Sequence, residues 1–262
     1  MTDDPRADSL YDDPEFFAGY SQLERFDKPW GDAFEHGAFQ ALLPDVQGLR
    51  ALDLGCGTGA LTLHLAESGA AEVVGLDASE RMLDRARTAR AHPRVTYVRR
   101  PMETAHFPAS RFDLVVSSLA FHYVADYRGL MASIGKWLTP GGTLVFSTEH
   151  PIYLARATDD GWMRDADGQP AGWTITGYGN EGLREEHWFR PGVQKYARML
   201  STLLNGVIDA ALTIDRVVEP LPMEDQLRDH PEWVHERLRP IFLLVRAHKP
   251  LRIRRGRSDR GS

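Results

Sequence analysis

The 262-residue chain has one cysteine, Cys56, which excludes an intramolecular disulfide and a zinc site built on cysteines. It has no apolar run approaching the roughly 20 residues that cross a bilayer, and its first residues are acidic rather than signal-like. A soluble, cytoplasmic protein with no membrane partner is the expectation. Basic charge is in deficit: 31 Lys and Arg stand against 37 Asp and Glu, for a net charge of −6. That balance argues against a nucleic-acid-binding face, where a basic stripe is needed. No metal site is expected. What remains is a chain with 42% apolar residues, enough to bury the core of an α/β domain with an insertion. A homo-oligomer is left open.

The most informative stretch is Ala51-Leu-Asp-Leu-Gly-Cys-Gly-Thr-Gly59. An apolar run enters Asp53, and glycines follow at 55, 57 and 59. A helical segment comes next, and then a second apolar run that ends in Asp77. This is a strand, a glycine turn, a helix and a second strand closed by an acid. Glycines remove β-carbons so that a ligand can lie on bare backbone, and the helix N-terminus adds free amides. An acid ending the second strand can take both hydroxyls of a ribose. The dinucleotide fingerprint has the spacing G-x-G-x-x-G; here it is G-x-G-x-G. Asp53, two residues before the first glycine, is poorly suited to a pyrophosphate. It suits a cationic ligand such as S-adenosylmethionine, with its α-amino group and sulfonium.

The segment Leu52-Asp-Leu-Gly-Cys-Gly-Thr-Gly59 resembles the first motif of the class I S-adenosylmethionine-dependent methyltransferases, and Asp77 resembles their ribose-binding acid. Phe112–Ser118 and Leu138–Phe146 resemble the fourth and fifth strands of that family. Tyr20–Arg25, Ser117–Tyr123, Glu149–Ile152, Glu219–Pro222 and Arg239–Leu243 are similar to a subgroup acting on small molecules. The resemblance spans roughly residues 16–249. It implies S-adenosylmethionine as cofactor and a small-molecule methyl acceptor.

The fold class read from the chain is α/β. Strands near 50–54, 72–76, 95–98, 112–117 and 142–148 alternate with helices near 60–68, 79–91 and 128–137, which calls for a parallel sheet with helices on both faces. The family likeness extends this to a Rossmann-like, mostly parallel sheet of seven strands, with an antiparallel end near 213–219 and 241–248. Residues 1–13 read as a disordered acidic N-terminus and 14–48 as a helical cover. Residues 49–150 read as the cofactor-binding core and 151–205 as a substrate-specificity insertion after strand five. Residues 206–250 complete the sheet, and 251–262 read as a basic disordered tail. Within the insertion a helix is expected at about 194–205.

The resemblance places Asp53, Gly55, Gly57 and Gly59 on the methionine side of the cofactor and Asp77 on its ribose. Ala78 and Met82 bracket the adenine. Met102 and Glu103 are the candidates for its polar contacts, although Pro101 stands where many relatives carry an acid. Ser118, Leu119 and Tyr123 line the cofactor. Tyr20 and Arg25 lie over it, or are a packing aromatic and a solvated charge.

Ligands of open α/β sheets bind beyond the carboxyl ends of the strands, so the chemical candidates follow strands four and five. They are His122, Tyr123, Glu149 and His150. His150 is either a substrate contact or a histidine that fixes its own turn. Phe121 walls the substrate side. Tyr11, Trp162, Trp173, Tyr178, Trp188 and Tyr196 form an apolar lid, or equally pack the insertion onto the sheet. Relatives often read Lys-Tyr-His-Arg where this chain reads Lys195-Tyr-Ala-Arg198, so any contact from that histidine is absent here. An amine acceptor in natural-product or amino-sugar chemistry, such as antibiotic biosynthesis, is favoured over O- or C-methylation. A non-catalytic cofactor-binding protein is the alternative of another class.

Overall fold

The computed structural model describes residues 9–23, 26, 30, 34–156 and 160–251. Arg25 and the arginine-rich stretch 252–262 lie outside them. In chain order the elements are α1 (Pro14–Tyr20), α2 (His36–Leu42), β1 (Arg50–Leu54), α3 (Ala60–Glu67), β2 (Glu72–Asp77), α4 (Glu80–Ala89), β3 (Val95–Arg99), β4 (Phe112–Ser118), α5 (Tyr127–Trp137) and β5 (Leu138–Glu149). There follow α6 (Pro151–Leu154), β6 (Trp162–Arg164), β7 (Pro170–Trp173), β8 (Gly182–Trp188), β9 (Arg190–Ala197), α7 (Leu200–Asp209), β10 (Thr213–Val218), α8 (Glu224–Asp229) and β11 (Phe242–His248). Short 3₁₀ turns at Leu10–Asp12, Met102–Thr104, Phe121–Tyr123 and Pro231–Leu238 join them.

The main sheet has seven strands in the order β10-β11-β5-β4-β1-β2-β3. β3, β2, β1, β4 and β5 run parallel, while β11 is antiparallel to both β5 and β10. The chain winds outward in both directions from the β1–β4 boundary, which opens a crevice at the carboxyl ends of those strands. The central strands read as continuous apolar runs because both faces are covered. One core holds Leu52, Leu54, Phe112, Phe121, Met131, Phe146 and Val207 beside α5 and α7. The opposite core holds Phe39, Leu61, Leu65, Val73, Leu114 and Leu244 beside α2 and α3.

Local chemistry fixes the elements nearest the crevice. Asp13 caps α1 by accepting the Phe16 amide at 2.9 Å, with Pro14 at the first helical position. Ser79 caps α4 through the Met82 amide, and its hydroxyl donates to Asp12 at 2.6 Å. Asp12 also accepts from the Glu80 and Arg81 amides. Asp12 and Asp13 therefore order the segment before α1. Within the span read as a disordered acidic leader, Ser9–Asp13 forms a turn seated on α4, while 1–8 lie outside the described residues.

The insertion is made of two antiparallel hairpins, β6–β7 and β8–β9. The helix expected at about 194–205 begins only at Leu200. The reason is period-2 burial: Val193, Lys195 and Ala197 turn inward while Gln194 is exposed. Phe189, with φ of 60°, and Gly192, with φ of 78°, make the tight return from β8.

Candidate active site

The crevice at the β1–β4 boundary holds a cavity of about 760 Å³. Its floor begins with the glycine turn after β1, where Gly55, Gly57 and Gly59 take φ of 74°, 54° and 83°. These are left-handed conformations that disfavour a side chain. The three glycines then divide the work. A β-carbon on Gly55 would lie 2.5 Å from Cβ of Ala120, and one on Gly59 would lie 2.4 Å from the Tyr97 hydroxyl. Those two are small because the fold packs against them. A β-carbon on Gly57 would meet nothing within 4 Å, so Gly57 alone presents bare backbone to open space.

Two carboxylates line this half of the cavity. Asp53 is 1% exposed and accepts the Thr62 hydroxyl at 2.7 Å. Burial, opposed by Thr62 and reinforced by nearby Asp77, pushes its carboxyl up to about 7. Asp77 accepts the Gly57 and Ser79 amides, each at 2.8 Å. Burial raises Asp77 as well, against the pull of those amides. Two desolvated acids whose charge is disfavoured create a site that a cation would relieve. Leu119, with φ of 52°, is held at the end of β4 by its amide on Ser147. Strained backbone of this kind persists where the surrounding structure imposes it, often at a ligand clamp.

The roof comes from the N-terminal segment. The Tyr11 hydroxyl meets that of Tyr123 at 3.2 Å, and the Tyr11 ring stands edge-on to Tyr20. Phe16, fully buried, packs edge-on to Trp188 and Phe189, and Arg190 pairs with Asp13. Residues 9–20 thus bridge α4 of the core to the β8–β9 hairpin.

The other half of the cavity is built from charged and aromatic side chains. Glu149 ends β5, and its Oε1 receives the Lys195 ammonium at 2.6 Å. Lys195, 3% exposed, also lies 2.5 Å from Glu186 and 4.9 Å over the Trp188 ring. Arg156 pairs with Glu186. Burial alone would raise the Glu149 carboxyl, but His122, Lys195 and Arg156 outweigh it and hold it below the usual range. Its Oε2 is buried without a hydrogen-bond partner among the described residues. His122, 4% exposed, places Nδ1 at 3.4 Å from both the Thr148 hydroxyl and the Glu149 amide. Burial raises the Tyr123 phenol well above its ordinary value, so it does not serve as a base near neutrality.

Comparison with known proteins fits this geometry. A methyltransferase-domain family model matches residues 51–142, the span from β1 into β5. A solved S-adenosylmethionine-dependent methyltransferase from Mesorhizobium loti is 45% identical and covers 83% of this chain and 99% of its own, with a TM-score of 0.79. The chain belongs to the S-adenosylmethionine-dependent methyltransferases. An uncharacterized protein of Haemophilus influenzae is 35% identical over 252 residues, 92% of this chain and 97% of its own. An uncharacterized methyltransferase of Mycobacterium bovis is 33% identical over 122 residues, 47% of this chain and 61% of its own.

The methyltransferase cavity fits its cofactor on this structure's own terms: the open space over Gly57 and the paired, cation-seeking Asp53 and Asp77 lie in one wall. Ala78, Met82, Met102, Ser118, Leu119, Tyr20 and Tyr123 line the same cavity. Gly59 does not reach it; its role is to admit Tyr97 behind the turn. Glu103 stands at the rim, and its Oε1 accepts the Ala125 and Asp126 amides, so that oxygen braces a loop rather than an adenine. Arg25 lies outside the described residues.

Of the residues expected to meet the acceptor, His122, Glu149, Tyr11, Trp188 and Tyr196 line the cavity. His150 does not. Its Nδ1 accepts the Ile152 amide, its Nε2 donates to Glu219 at 2.8 Å, and burial lowers its pKa. It is the histidine that fixes its own turn.

Phe121 is fully buried between Phe146 and Tyr127, in the core rather than the substrate wall. Tyr178 accepts the Leu200 amide at the start of α7. Trp162 and Trp173, with Tyr153, surround the Arg239 guanidinium at 4.9, 4.3 and 5.1 Å. Those tryptophans pack the insertion onto the segment before β11. Cys56 is buried, and burial raises its thiol well above the ordinary value, which leaves it without thiolate character. Sequence reasoning missed Thr62, Glu186, Arg156 and Lys195. Only the period-2 burial of β9 reveals that Lys195 points inward, and a helical reading of 194–205 hides it.

Proposed function

We propose that this methyltransferase transfers a methyl group to an amine nitrogen of a small molecule of the natural-product or amino-sugar class. One observation carries the reading: Glu149 lines the cavity, its Oε1 is held by Lys195, and its buried Oε2 has no hydrogen-bond partner among the described residues. An acceptor that supplies an N–H or O–H satisfies that oxygen. S-adenosylmethionine, when bound, supplies a methyl already activated for in-line displacement, so the residues mainly align and desolvate.

A carboxylate held below its usual pKa is a poor base toward an alcohol but a good hydrogen-bond acceptor. A neutral amine that donates N–H to Glu149 keeps its lone pair for the methyl carbon. After methyl transfer the surplus proton would sit on the product nitrogen, where Glu149 would hold it by hydrogen bond until it passes to solvent. Tyr11, Tyr153, Trp188 and Tyr196 line the cavity and give a planar or sugar-like acceptor aromatic surface to pack on. We place the protein in the cytoplasm, where its cofactor is made; among the described residues no helix is long and apolar enough to cross a membrane.

A second reading, O-methylation of a phenol, rests on His122, which lines the same wall beside Glu149. The test is a panel of primary amines, secondary amines and phenols, with S-adenosylhomocysteine formation followed and products weighed by mass spectrometry. Turnover confined to amines supports the first reading; turnover confined to phenols overturns it.

A further inference from the structure

Lys195 is an anomaly of the β8–β9 hairpin. It occupies an inward position between Val193 and Ala197, where the strand otherwise buries apolar groups, and it is 3% exposed. Burying an ammonium is unfavourable unless it is paired. Here it reaches two carboxylates from different parts of the fold, Glu149 at 2.6 Å and Glu186 at 2.5 Å, and lies over Trp188. Glu186 is also tied to Arg156 from the segment after α6. The groups facing Glu149 are His122 and Tyr123 from the turn after β4, Tyr153 and Arg156 from the segment after β5, and Lys195 with its second carboxylate Glu186 from the hairpin.

We infer that Lys195 is the positioning residue of the acceptor site: it pins one oxygen of Glu149 and fixes the orientation in which that side chain meets the acceptor. This deepens the amine reading above and rests on Glu149 being the acceptor's partner. The arrangement has a consequence beyond packing. The hairpin fixes the protonation state and aim of a group that the sheet supplies. The insertion would then govern reactivity as well as the shape of the pocket. A hydrophobic residue at 195 would hold the hairpin in place and leave only His122 and Arg156 to oppose burial, which raises the Glu149 carboxyl.

The test titrates Glu149 directly, by carbon NMR of protein labelled at glutamate carboxyl groups, with the signal assigned through Glu149→Gln. In the wild type the carboxyl should titrate below the ordinary value of 4.5. In Lys195→Met the midpoint should rise by roughly one unit or more, and Lys195→Arg should restore it. An unchanged midpoint in Lys195→Met overturns the proposal. So does a wild-type midpoint at or above 4.5, a result available even if the methionine variant fails to fold.

Cofactor affinity, measured by calorimetry, should stay within about twofold in both Lys195 variants, because the cofactor half is built elsewhere. The amine panel separates the two readings. Amine methylation with a Glu149 that ignores Lys195 sinks only the positioning role. A Glu149 that follows Lys195 in a protein that methylates only phenols sinks only the amine reading.

Discussion

The floor of one half of the cavity comes from one contiguous stretch of chain, and the other half is built of side chains from three separate parts of it. On the cofactor side the turn after β1, two amides on Asp77 and the hydroxyl on Asp53 come from a single unit, β1 through α4. On the acceptor side Glu149 comes from β5, Arg156 from beyond α6, and Glu186 and Lys195 from a hairpin outside the main sheet. The charges differ as well. Among the described residues no cation partners the two acids of the cofactor half, and their pKa values are raised, whereas the other half pairs its acids with Lys195 and Arg156 and lowers that of Glu149. A site for a permanently cationic ligand can leave its charges unbalanced until the ligand arrives. Under the proposed amine reading, a neutral nucleophile is met by a carboxylate that is already ionised.

The sharpest way to break this contrast is Glu149→Gln. It should lower turnover about 10²- to 10³-fold while S-adenosylmethionine affinity stays within about twofold. A comparable loss of cofactor binding in calorimetry would merge the two halves into one. Asp53→Asn is the mirror experiment, with cofactor affinity falling about 10²-fold. Because Asp53 is raised in the folded state, the native protein binds its proton more tightly than the unfolded chain does, and the stability this gives is lost as pH rises through about 7. Asp53→Asn should therefore melt higher than wild type at pH 8 in the absence of cofactor. A lower melting temperature there would contradict the unpaired-acid account.

A smaller effect follows from the same group. Between pH 6 and pH 8 the fraction of Asp53 ionised passes through its midpoint, so S-adenosylmethionine affinity should improve about tenfold and release up to one proton on binding. Calorimetry in buffers of different ionisation enthalpy measures both, and a flat profile in the wild type removes Asp53 from the cation site. The smallest change is expected from His150→Asn, which can keep the cap on Ile152 while losing Glu219. Stability should fall by about 1 kcal/mol, with turnover within about threefold of wild type. A hundredfold loss of turnover would return His150 to the chemistry.

The same contrast explains what could be read from the residues. The cofactor half was legible because its elements are contiguous: Asp53, the glycines and Asp77 lie within 25 residues, and their order matches their order in space. Even there the reading was too uniform. It gave all three glycines one purpose, whereas Gly55 and Gly59 are dictated by Ala120 and Tyr97. The acceptor half was half legible. Position after a strand end pointed to His122, Glu149 and His150 alike, but only packing shows that His150 spends both nitrogens on Ile152 and Glu219. The insertion was the least legible. Its aromatics signalled burial without saying against what, and Trp162 turned out to surround Arg239 rather than the cavity.

By itself the sequence determined the sheet, the glycine turn and the acids that flank it, because a strand, a tight turn and a helix N-terminus are local consequences of apolar runs, glycine and short-range hydrogen bonding. Only the tertiary structure decided which acids go unpaired and which are held by a buried lysine. Those pairings join residues as far apart as Glu149 and Lys195, and whether a charge is stabilised depends on what burial brings beside it.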